Sequence, residues 1–529
     1  MSGHPFVLTQ HPPLPARRTG GPGGLTLKPA GHRALIAGCT VVATTMQGLD
    51  STITNVALPY IEGGLSATAE QVTWVLTSYV IATAIMTAPV GWLAARFGRR
   101  QLFITCLAGF TLASMLCGAA QSLPQMVFCR LLQGAFGAAL VPLSQATMLD
   151  IYPIERRAQA MAIWGIGVMV GPILGPTLGG WLTAMCGWRW VFYVNLPFGL
   201  LAITGLLLFM SSGERDDVHR FDWTGFLVLA LGIGALQVML DRGQGQDWFA
   251  SREIIAYAVL AGLGFYLFVV HMLTAERPFL PPGVLRDRNL AAALTTTFLT
   301  GLVQLASTVL LATYLQKLAG FPVEAAGLAM APRGVGTMAG MLFAGWFGSR
   351  IGQHRLMAVG TLMLSWTLYD MSLWTPDISG DRLLATIVVQ GFATGITSNA
   401  LSVLAYATLA SRWRSDAAGL ISLLRNTGGA IGVSLTAALL AQLTQVVHAG
   451  LAATVTPFNH VLQGLHPTTQ AGARLLDAAI NRQAASIAYS DDFRLLMAVA
   501  LLPLLVLPLM RSGRRPIPDR MADNVEDMR

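Results

Sequence analysis

The chain has 529 residues, of which 54% are hydrophobic and only 11% are charged, and its mean hydropathy is +0.58. Because average soluble domains carry about 25% charged residues, this composition excludes an ordinary soluble protein. The formal net charge is +8, but Lys and Arg concentrate in alternate loops between apolar stretches, which indicates membrane topology and not a nucleic-acid partner.

A transmembrane helix requires about 20 apolar residues, and fourteen stretches of this kind follow one another along the chain. No pattern of period two competes with them, so the sequence predicts an all-α, polytopic membrane protein. The bias of the basic residues places both termini in the cytoplasm. The predicted helices start near Ala34, Gln71, Gln101, Pro124, Ala158, Trp188, Trp223, Ile254, Asn289, Glu324, Arg355, Leu383, Ala417 and Phe493.

Charged loops at 214–222 and 276–289 set two of these helices apart from the six on either side. The predicted organisation is therefore six helices, two inserted helices and six more helices. Its parts are a disordered cytoplasmic tail (1–33), an N-terminal lobe (34–211), a linker region with the inserted pair (212–288), a C-terminal lobe (289–511) that includes a long outer loop (447–491), and a second cytoplasmic tail (512–529).

The first helix contains the sequence LDSTITNVALPY, which places the carboxylate of Asp50 inside an apolar span. An ionisable group in the bilayer costs about 2.5–3.5 kcal/mol on insertion scales and marks a functional site by default. Asp50 and Thr54 share a face because they are four residues apart. A polar residue in a membrane can instead join helices by hydrogen bonds, but Gln47, Thr52 and Asn55 nearby favour a polar cavity.

The second helix ends in GWLAARFGRR (91–100), and the tenth ends in GWFGSRIGQHR (345–355). The shared G-W-x-x-x-R-x-G motif predicts two related lobes, as in transporters built from repeats. In the fourth helix, Arg130 precedes Gln133 and Gly134, and its predicted depth is ~9 Å from the outer surface against ~17 Å for Asp50, so the two could be neighbours or be joined through water. Because an arginine can also extend to the membrane surface, contact between the two charges stays open at this point.

The fifth helix has the strongest periodic signal. Small residues let a neighbouring helix approach closely and prolines bend a helix, so the pattern predicts a bendable packing interface between the two lobes. The thirteenth helix repeats the spacing in RNTGGAIG (425–432). The glycines of the fifth helix and the residues between them are Gly167, Gly171, Pro172, Gly175, Pro176, Gly179 and Gly180.

Polar and aromatic residues at suitable depth are candidates for the lining of a substrate cavity, although each of them could equally serve packing alone. The candidates are Gln47, Asn55, Trp74, Tyr79, Gln145, Asn195 and Gln304. Further polar groups within the helices of the second lobe are Arg333, Arg425 and Asn426. Arg425 could also act as a structural donor to facing carbonyl groups.

The sequence also restricts the source of energy. A phosphate-binding G-x-x-x-x-G-K-[ST] loop needs a lysine, and neither Lys28 nor Lys317 stands in such a context. Motifs of metallohydrolases and serine hydrolases are absent as well. An ATP-driven pump within this chain is therefore excluded, and neither a cofactor nor a metal is predicted.

Taken together, these motifs resemble those of the major facilitator superfamily, in particular its fourteen-helix drug/proton antiporters of the EmrB/QacA type. The resemblance rests on LDSTITNVALP, the turn at 91–100, the Arg130-x-x-Gln133-Gly134 motif and GPILGPTLGG, and it covers residues 34–511. The stretches PLSQATMLDIYP, GWRWVFYVNLPFG and VTPFNHVLQ are most similar to EmrB-like permeases.

The resemblance implies proton-coupled export of hydrophobic, often cationic drugs, and in EmrB-like systems a periplasmic adaptor and an outer-membrane channel as partners. It assigns proton coupling to Asp50 and Arg130, and the antiporter motif to the fifth helix. The superfamily turn usually has Asp where this chain has Ala95, and we hypothesise that Asp150 supplies the missing acid for Arg96. The residues assigned to the cytoplasmic gate are Gly91, Arg96, Gly98, Arg99, Arg100 and Asp150.

The predicted function is a multidrug efflux antiporter of the cell inner membrane. Burial favours the neutral form of an acid and a nearby arginine favours the charged form, so protons would enter from outside to Asp50 and leave inward while substrate moves outward. The lobes would rock about the glycine faces of helices five and thirteen. Alternatives are an exporter of a siderophore, fatty acid or other metabolite, a proton symporter, and a membrane enzyme or sensor.

Overall fold

The computed structural model describes residues 30–153, 156–211, 221–275, 278, 287–409, 413–453 and 469–510. Within these ranges every regular element is a helix. In chain order the α-helices are α1 Ala30–Gly64, α2 Ala69–Val72, α3 Trp74–Thr87, α4 Val90–Phe97, α5 Arg99–Ala119, α6 Leu123–Gly137, α7 Leu140–Ile151, α8 Arg157–Cys186, α9 Trp190–Tyr193, α10 Asn195–Phe209, α11 Trp223–Arg242, α12 Arg252–Thr274, α13 Arg288–Thr313, α14 Val323–Ile351, α15 Gln353–Ser372, α16 Gly380–Ala405, α17 Arg414–Ala453 and α18 Gln470–Val506.

The apolar helices make this a multi-pass membrane protein. Among the described residues, ten helical segments are long and apolar enough to cross a membrane, and α3 with α4, bent by 59° at their junction, makes an eleventh. Helices α1, α14 and α15 are long enough but too polar to meet the same criterion. The all-α polytopic prediction is confirmed, whereas the number of fourteen transmembrane helices stays a prediction.

The helices before and after the inserted pair pack in the same pattern. In the first lobe, α1 packs against α8 and α10, α6 packs against α3 and α5, and α5 packs against α10. In the second lobe, α13 packs against α17 and α18, α16 packs against α14 and α15, and α15 packs against α18. Equivalent helices therefore have equivalent neighbours, as expected of two lobes with one fold. The residue boundaries of the predicted domains stay predictions.

The lobes meet along two pairs of helix surfaces. Helix α8 packs against α14 and α16, and α17 packs against α3, α4 and α7. The inserted helix α11 pairs with α12 and also covers the seam between α3 and α17, where Ala84, Leu229 and Leu423 belong to one apolar cluster. Below, the terminal face is the side of the membrane at which α1 begins and α18 ends, and the far face is the opposite side.

The prediction of a long outer loop at 447–491 is wrong for its described part. Helix α17 has 40 residues and continues to Ala453, and α18 has 37 residues and begins at Gln470, well before the predicted start at Phe493. At about 1.5 Å per residue, α17 is roughly 60 Å long, twice the roughly 30 Å of the hydrocarbon core. Charged residues in this region interrupt the apolar run from which a transmembrane helix is predicted. A helix that continues outside the membrane does not need such a run. Residues 454–468, residues 1–29 of the first predicted tail and the predicted tail 512–529 lie outside the described residues, and the prediction of disorder is wrong for residues 30–33, which belong to α1.

Candidate coupling site and inter-lobe contacts

Asp50 lies on α1 in the interior of the first lobe, where it is 1% exposed. Its Oδ2 accepts a hydrogen bond from Arg130 Nη1 at 2.8 Å. Its Oδ1 accepts from Gln133 Nε2 at 2.8 Å and from Asn195 Nδ2 at 2.9 Å. Three donors from α6 and α10 therefore converge on one carboxylate, and the contact between Asp50 and Arg130 that the sequence left open is an ion pair.

Arg130 is fixed in place from several sides. Its Nε donates to the carbonyl of Val75 at 3.1 Å, and Nη1 also donates to Gln133 Oε1 at 2.8 Å. Its guanidinium carbon lies 4.6 Å from the ring centroid of Tyr79 and 5.5 Å from that of Phe192. Because the guanidinium is fully buried, it does not extend to the membrane surface, and its position is set by α3, α6 and α9 together.

This arrangement lets one proton change the contacts of three helices. Charge-assisted hydrogen bonds are stronger than neutral ones, and they offset part of the cost of burying two ions. A proton on Asp50 would remove the negative charge that holds Arg130, Gln133 and Asn195 together. The arginine would then be a buried cation without its counter-ion, which favours rearrangement of the helices around it.

A buried acid–arginine pair inside one of two similarly packed lobes is consistent with the expected transporter family. A model of the Major Facilitator Superfamily matches residues 40–433, about three quarters of the chain. The chain belongs to this superfamily. This membership confirms the predicted transporter scaffold and argues against a membrane enzyme.

Relatives within the superfamily cover most of the chain. The multidrug export protein EmrB of Haemophilus influenzae is 36% identical over 427 residues, which are 80% of this chain and 84% of that protein. The fatty acid resistance protein FarB of Neisseria gonorrhoeae is 32% identical over 489 residues, 90% of this chain and 95% of that protein. The crystal structure of the human organic anion transporter MFSD10 aligns with a TM-score of 0.59 at 15% identity over 90% of this chain and 99% of that one, a likeness that shows the fold alone. The expected similarity to EmrB-type exporters is confirmed.

The candidate cavity residues fall into separate places in this major facilitator fold. The side chains of Gln47 and Tyr79 have buried oxygens beside the coupling site, and Asn195 belongs to the coupling site itself through its bond to Asp50. Trp74 is half-buried and begins α3, and Asn55 is exposed. Their role in substrate binding stays a prediction.

A second group of candidates lies between the lobes. Gln304 on α13 and Arg425 on α17 line a small cavity together with Trp164 on α8. Gln145 on α7 is buried, and its Oε1 lies 3.5 Å from the hydroxyl of Tyr406 in the other lobe. Asn426, the residue after Arg425, is exposed. The inter-lobe cavity thus places polar side chains of the second lobe opposite mainly apolar side chains of the first lobe.

At the terminal face, Asp150 joins the two lobes, although not through the expected residue. It accepts hydrogen bonds from Arg99 of its own lobe and from Arg414 Nη1 of the second lobe, the latter at 2.5 Å. The hypothesis that Asp150 pairs with Arg96 is wrong, because Arg96 is exposed on α4 and both carboxylate oxygens of Asp150 engage other arginines. A residue at the start of α5 is nearer to the end of α7 than one on α4.

The geometry of the terminal-face turn explains why glycine occupies several of its positions. Gly98 has a φ of +82° and Gly352, its counterpart in the second lobe, a φ of +91°, a backbone region that favours glycine. A Cβ at Gly91 would lie 2.8 Å from the Cα of Asp416 on α17, so this glycine lets the lobes approach. The side chain of Arg100 donates from Nη2 to the carbonyl of Leu207 at 2.7 Å and thereby ties α5 to α10.

The glycine pattern of α8 packs against α1 of the same lobe, which corrects the prediction of an interface between lobes. A Cβ at Gly167 would lie 2.5 Å from Val41, and one at Gly171 would lie 2.5 Å from the carbonyl carbon of Gly48. Gly175 and Gly179 continue this contact along α1, whereas a Cβ at Gly180 would meet nothing within 4 Å. Pro172 and Pro176 belong to α8, and their side chains lie outside the described part of the structure.

Another face of α8 contacts the second lobe. A Cβ at Gly334 on α14 would collide with the side chain of Ile173, and one at Gly345 would lie 2.9 Å from the Cβ of Ala162. The glycines of α17 likewise face their own lobe, because Gly428 and Gly432 pack on carbonyl groups of α13. The glycine faces therefore pack helices together within each lobe, whereas α8 and α14 meet between the lobes.

Arg333 on α14 is a buried cation with neutral partners. Its Nη1 donates to the hydroxyl of Thr308, and its Nη2 donates to the carbonyl of Gln304 at 3.4 Å and to the hydroxyl of Ser307 at 3.3 Å. Its side chain is only 9% exposed. A guanidinium surrounded by neutral oxygens is able to accept an anionic group.

Sequence reasoning missed two members of the coupling site. The sequence shows Gln133 as part of a motif but not as a donor to Asp50, and it gives no sign of Ser114. Ser114 donates to the carbonyl of Phe192 at 2.9 Å and accepts from Asn195 Nδ2 at 2.9 Å, which orients the amide toward Asp50. The spacing of Gln133 three residues after Arg130 was an available signal, since such residues share a helix face.

Proposed function

We propose that this chain is a proton-coupled multidrug efflux transporter, which exports hydrophobic small molecules across the inner or plasma membrane by alternating access. The observation that carries the proposal is the buried carboxylate of Asp50 with three converging donors, Arg130, Gln133 and Asn195. The relative named multidrug export protein, which covers four fifths of the chain, supplies the substrate class.

In this proposal the terminal face is cytoplasmic, as the bias of basic residues predicts. A proton from outside binds to Asp50 and neutralises its carboxylate, so that Arg130 loses its ion-pair partner. The change spreads to α6 and α10, whose side chains bind the same carboxylate. The lobes then rearrange around the α8–α14 contact, and the proton leaves toward the cytoplasm as the substrate moves outward.

The inter-lobe cavity is the proposed path of the substrate. Its lining combines the apolar ring of Trp164 with the amide of Gln304 and the guanidinium of Arg425. A site that combines apolar and aromatic side chains with a set of polar groups suits hydrophobic ligands that also carry polar groups. The contacts of Asp150, Arg99 and Arg414 at the terminal face would form the cytoplasmic gate when the cavity opens to the outside.

The test is transport of a fluorescent lipophilic cation in inverted vesicles with an imposed pH gradient. Asp50→Asn should abolish gradient-driven accumulation and retain exchange of labelled for unlabelled dye without a gradient, because the substrate path remains. Asp381→Asn, which alters an exposed acid at the start of α16, is the matched control and should behave as the wild type. An Asp50→Asn protein that still concentrates the dye would exclude the proposed coupling.

A second candidate function is export of an anionic metabolite such as a fatty acid. The buried guanidinium of Arg333 with its neutral partners favours it, and one relative is named a fatty acid resistance protein. A long-chain fatty acid should then compete with the dye in wild-type vesicles. Arg333→Gln should lose this competition and keep dye transport; equal competition in both proteins would exclude the role of Arg333.

An adaptor and an outer-membrane channel are the proposed partners if the host has two membranes. The ends of α17 and α18 extend beyond the membrane at the far face, where Asp477 interacts with His448 at 3.1 Å. This helical projection is the proposed docking surface. Removal of residues 448–475 should leave vesicle transport intact and abolish drug resistance of whole cells, whereas unchanged resistance would exclude docking there.

A further inference from the structure

Equivalent helices of the two lobes repeat individual residue contacts, which sets their register. Gly134 on α6 packs on the carbonyl of Tyr79 on α3, and Gly391 on α16 packs in the same way on the carbonyl of Arg333 on α14. Each of these glycines follows a glutamine, Gln133 or Gln390. The pairs α3–α6 and α14–α16 can therefore be compared residue by residue.

The register of the last helix in each lobe follows from a second repeated contact. A Cβ at Gly118 on α5 would meet the ring of Tyr193, the last residue of α9, which lies two residues before the start of α10 at Asn195. In the second lobe, the carbonyl of Ser372 at the end of α15 accepts a hydrogen bond from Ser490 on α18. Gly118 and Ser372 lie equally far along their helices from the glycines Gly98 and Gly352 that precede them, so the residues that they contact occupy equivalent positions.

Two residues further along the chain, this register makes Asp492 the counterpart of Asn195. In the first lobe Asn195 serves the ion pair of Asp50 with Arg130. Arg130 lies three residues before Gln133, and the residue three before Gln390 is Ile387. The second lobe therefore has an acid at this level, but an apolar residue where the first lobe has its arginine.

Asp492 is completely buried in these apolar surroundings. It is 0% exposed, and both of its carboxylate oxygens lack a hydrogen-bond partner among the described residues. Its neighbours Tyr489, Phe493 and Leu496 on α18 belong to one apolar cluster, which also contains Ile387. A carboxylate without donors is very unfavourable in such a place, whereas the neutral acid is tolerated.

The other titratable groups at this level are engaged elsewhere. On α18 itself, Arg494 pairs with Asp491 at 3.1 Å. On α15, Asp370 binds Arg382 at 2.7 Å. Other titratable groups on the facing elements include Tyr489 and Tyr314, whose ring centroids lie 5.5 Å apart, and Arg425 on α17, which lines the inter-lobe cavity.

We propose that Asp492 is a second proton-binding site of this transporter, and that its carboxyl group carries a proton in the conformation described above. The site lies about 21 Å from the terminal-face end of α18, well inside the bilayer. Protonation needs no co-reactant, since the carboxylate takes a proton from water. The role of this proton in transport rests on the proposed antiport, whereas the protonation state itself does not.

The first experiment measures the protonation state directly by infrared spectroscopy of the purified full-length protein. The wild-type spectrum at neutral pH should contain a C=O stretching band of a protonated carboxyl group that Asp492→Asn lacks. The control Asp491→Asn, a change at the neighbouring partly exposed acid, should keep the band. If the wild-type spectrum instead contains a band of an ionised carboxylate that the Asp492→Asn spectrum lacks, Asp492 is ionised and the proposal is wrong.

The second experiment determines the number of protons moved per substrate molecule in proteoliposomes. It does so from the conditions under which net transport reverses its direction. Asp492→Asn should lower this number by one, and Asp492→Glu, which restores a carboxyl group, should return it to the wild-type value. An unchanged number in Asp492→Asn would overturn the transport role. Failure of proton antiport itself would appear as gradient-independent transport in the wild type, and the infrared result would still decide the protonation of Asp492.

Discussion

Asp50 and Arg130 are both removed from water, so neither ion is stable in its place without the other. The carboxylate accepts three hydrogen bonds and the guanidinium also binds the carbonyl of Val75. For buried pairs of this kind, the desolvation cost is large and removal of one partner leaves an uncompensated charge. The pair is therefore better suited to switching between two arrangements than to stabilising one of them.

The cost of leaving one buried charge without its partner gives a prediction for stability. Arg130→Ala should destabilise the protein by about 3–5 kcal/mol, because Asp50 is left buried and charged. The double variant Asp50→Asn/Arg130→Met should recover much of this loss, since both charges are removed together. Thermal unfolding of the purified proteins in one detergent measures the difference. Equal unfolding temperatures for the single and double variants would contradict the prediction.

At the scale of residues, the sequence identified the acid and the arginine because charges in an apolar span are conspicuous. It did not identify Asp492. That residue lies between the predicted outer loop, which ends at residue 491, and the predicted start of the last span near Phe493, so the sequence does not place it inside the membrane. Only the packing of α18 on the rest of the second lobe places one of these acids inside and the other at the surface.

Among the elements, α8 depends on its glycines for contact with α1. The hydroxyl of Thr45 donates to the carbonyl of Gly167 at 2.8 Å, and that of Thr52 donates to the carbonyl of Gly171 at 3.2 Å. Such bonds between a side chain and a backbone require a short distance between helices, which small residues permit. Thr52 thus joins helices and does not line a cavity.

Substitution within this stripe gives the second prediction. Gly171→Val should destabilise the first lobe by about 1–3 kcal/mol, the usual cost of overpacking, because a Cβ there would lie 2.5 Å from the backbone of Gly48. Gly180→Val on the same helix is the matched control, since a Cβ at Gly180 meets nothing within 4 Å. Thermal unfolding and expression level measure both; equal losses for the two variants would show that the contact with α1 does not matter.

The glycine stripe also shows what a periodic pattern is able to predict. Repeated glycines indicate that another helix packs closely against them, but which helix this is depends on the fold. From the sequence, α1 and a helix of the second lobe were equally possible. The helical projection of α17 and α18 was missed for a related reason. Hydropathy reports the apolar part of a helix, and polar turns that continue it outside the membrane give no such signal.

For the whole molecule, Asp150 makes a polar connection between the lobes at the terminal face. It binds Arg99 from the first lobe and Arg414 from the second. Because these side chains are partly exposed, each ion pair contributes little, on the order of 0–1 kcal/mol. A two-state equilibrium between lobe arrangements nevertheless responds to such small energies, since 1.4 kcal/mol changes an equilibrium constant about tenfold.

The third prediction follows from this connection. Asp150→Asn weakens the contact with Arg414, which exists only in the arrangement where the lobes meet at the terminal face, so the population open at that face should rise several-fold. Spin labels at Phe97 on α4 and Arg355 on α15, one exposed position in each lobe, measure the distance across this face. Asp370→Asn breaks an ion pair with Arg382 inside the second lobe, so as the control it should leave the distance distribution unchanged. If Asp150→Asn also leaves the distribution unchanged, the lobes are held together by the helix packing of α8 on α14 and α17 on α4, and the ion pairs only follow that packing.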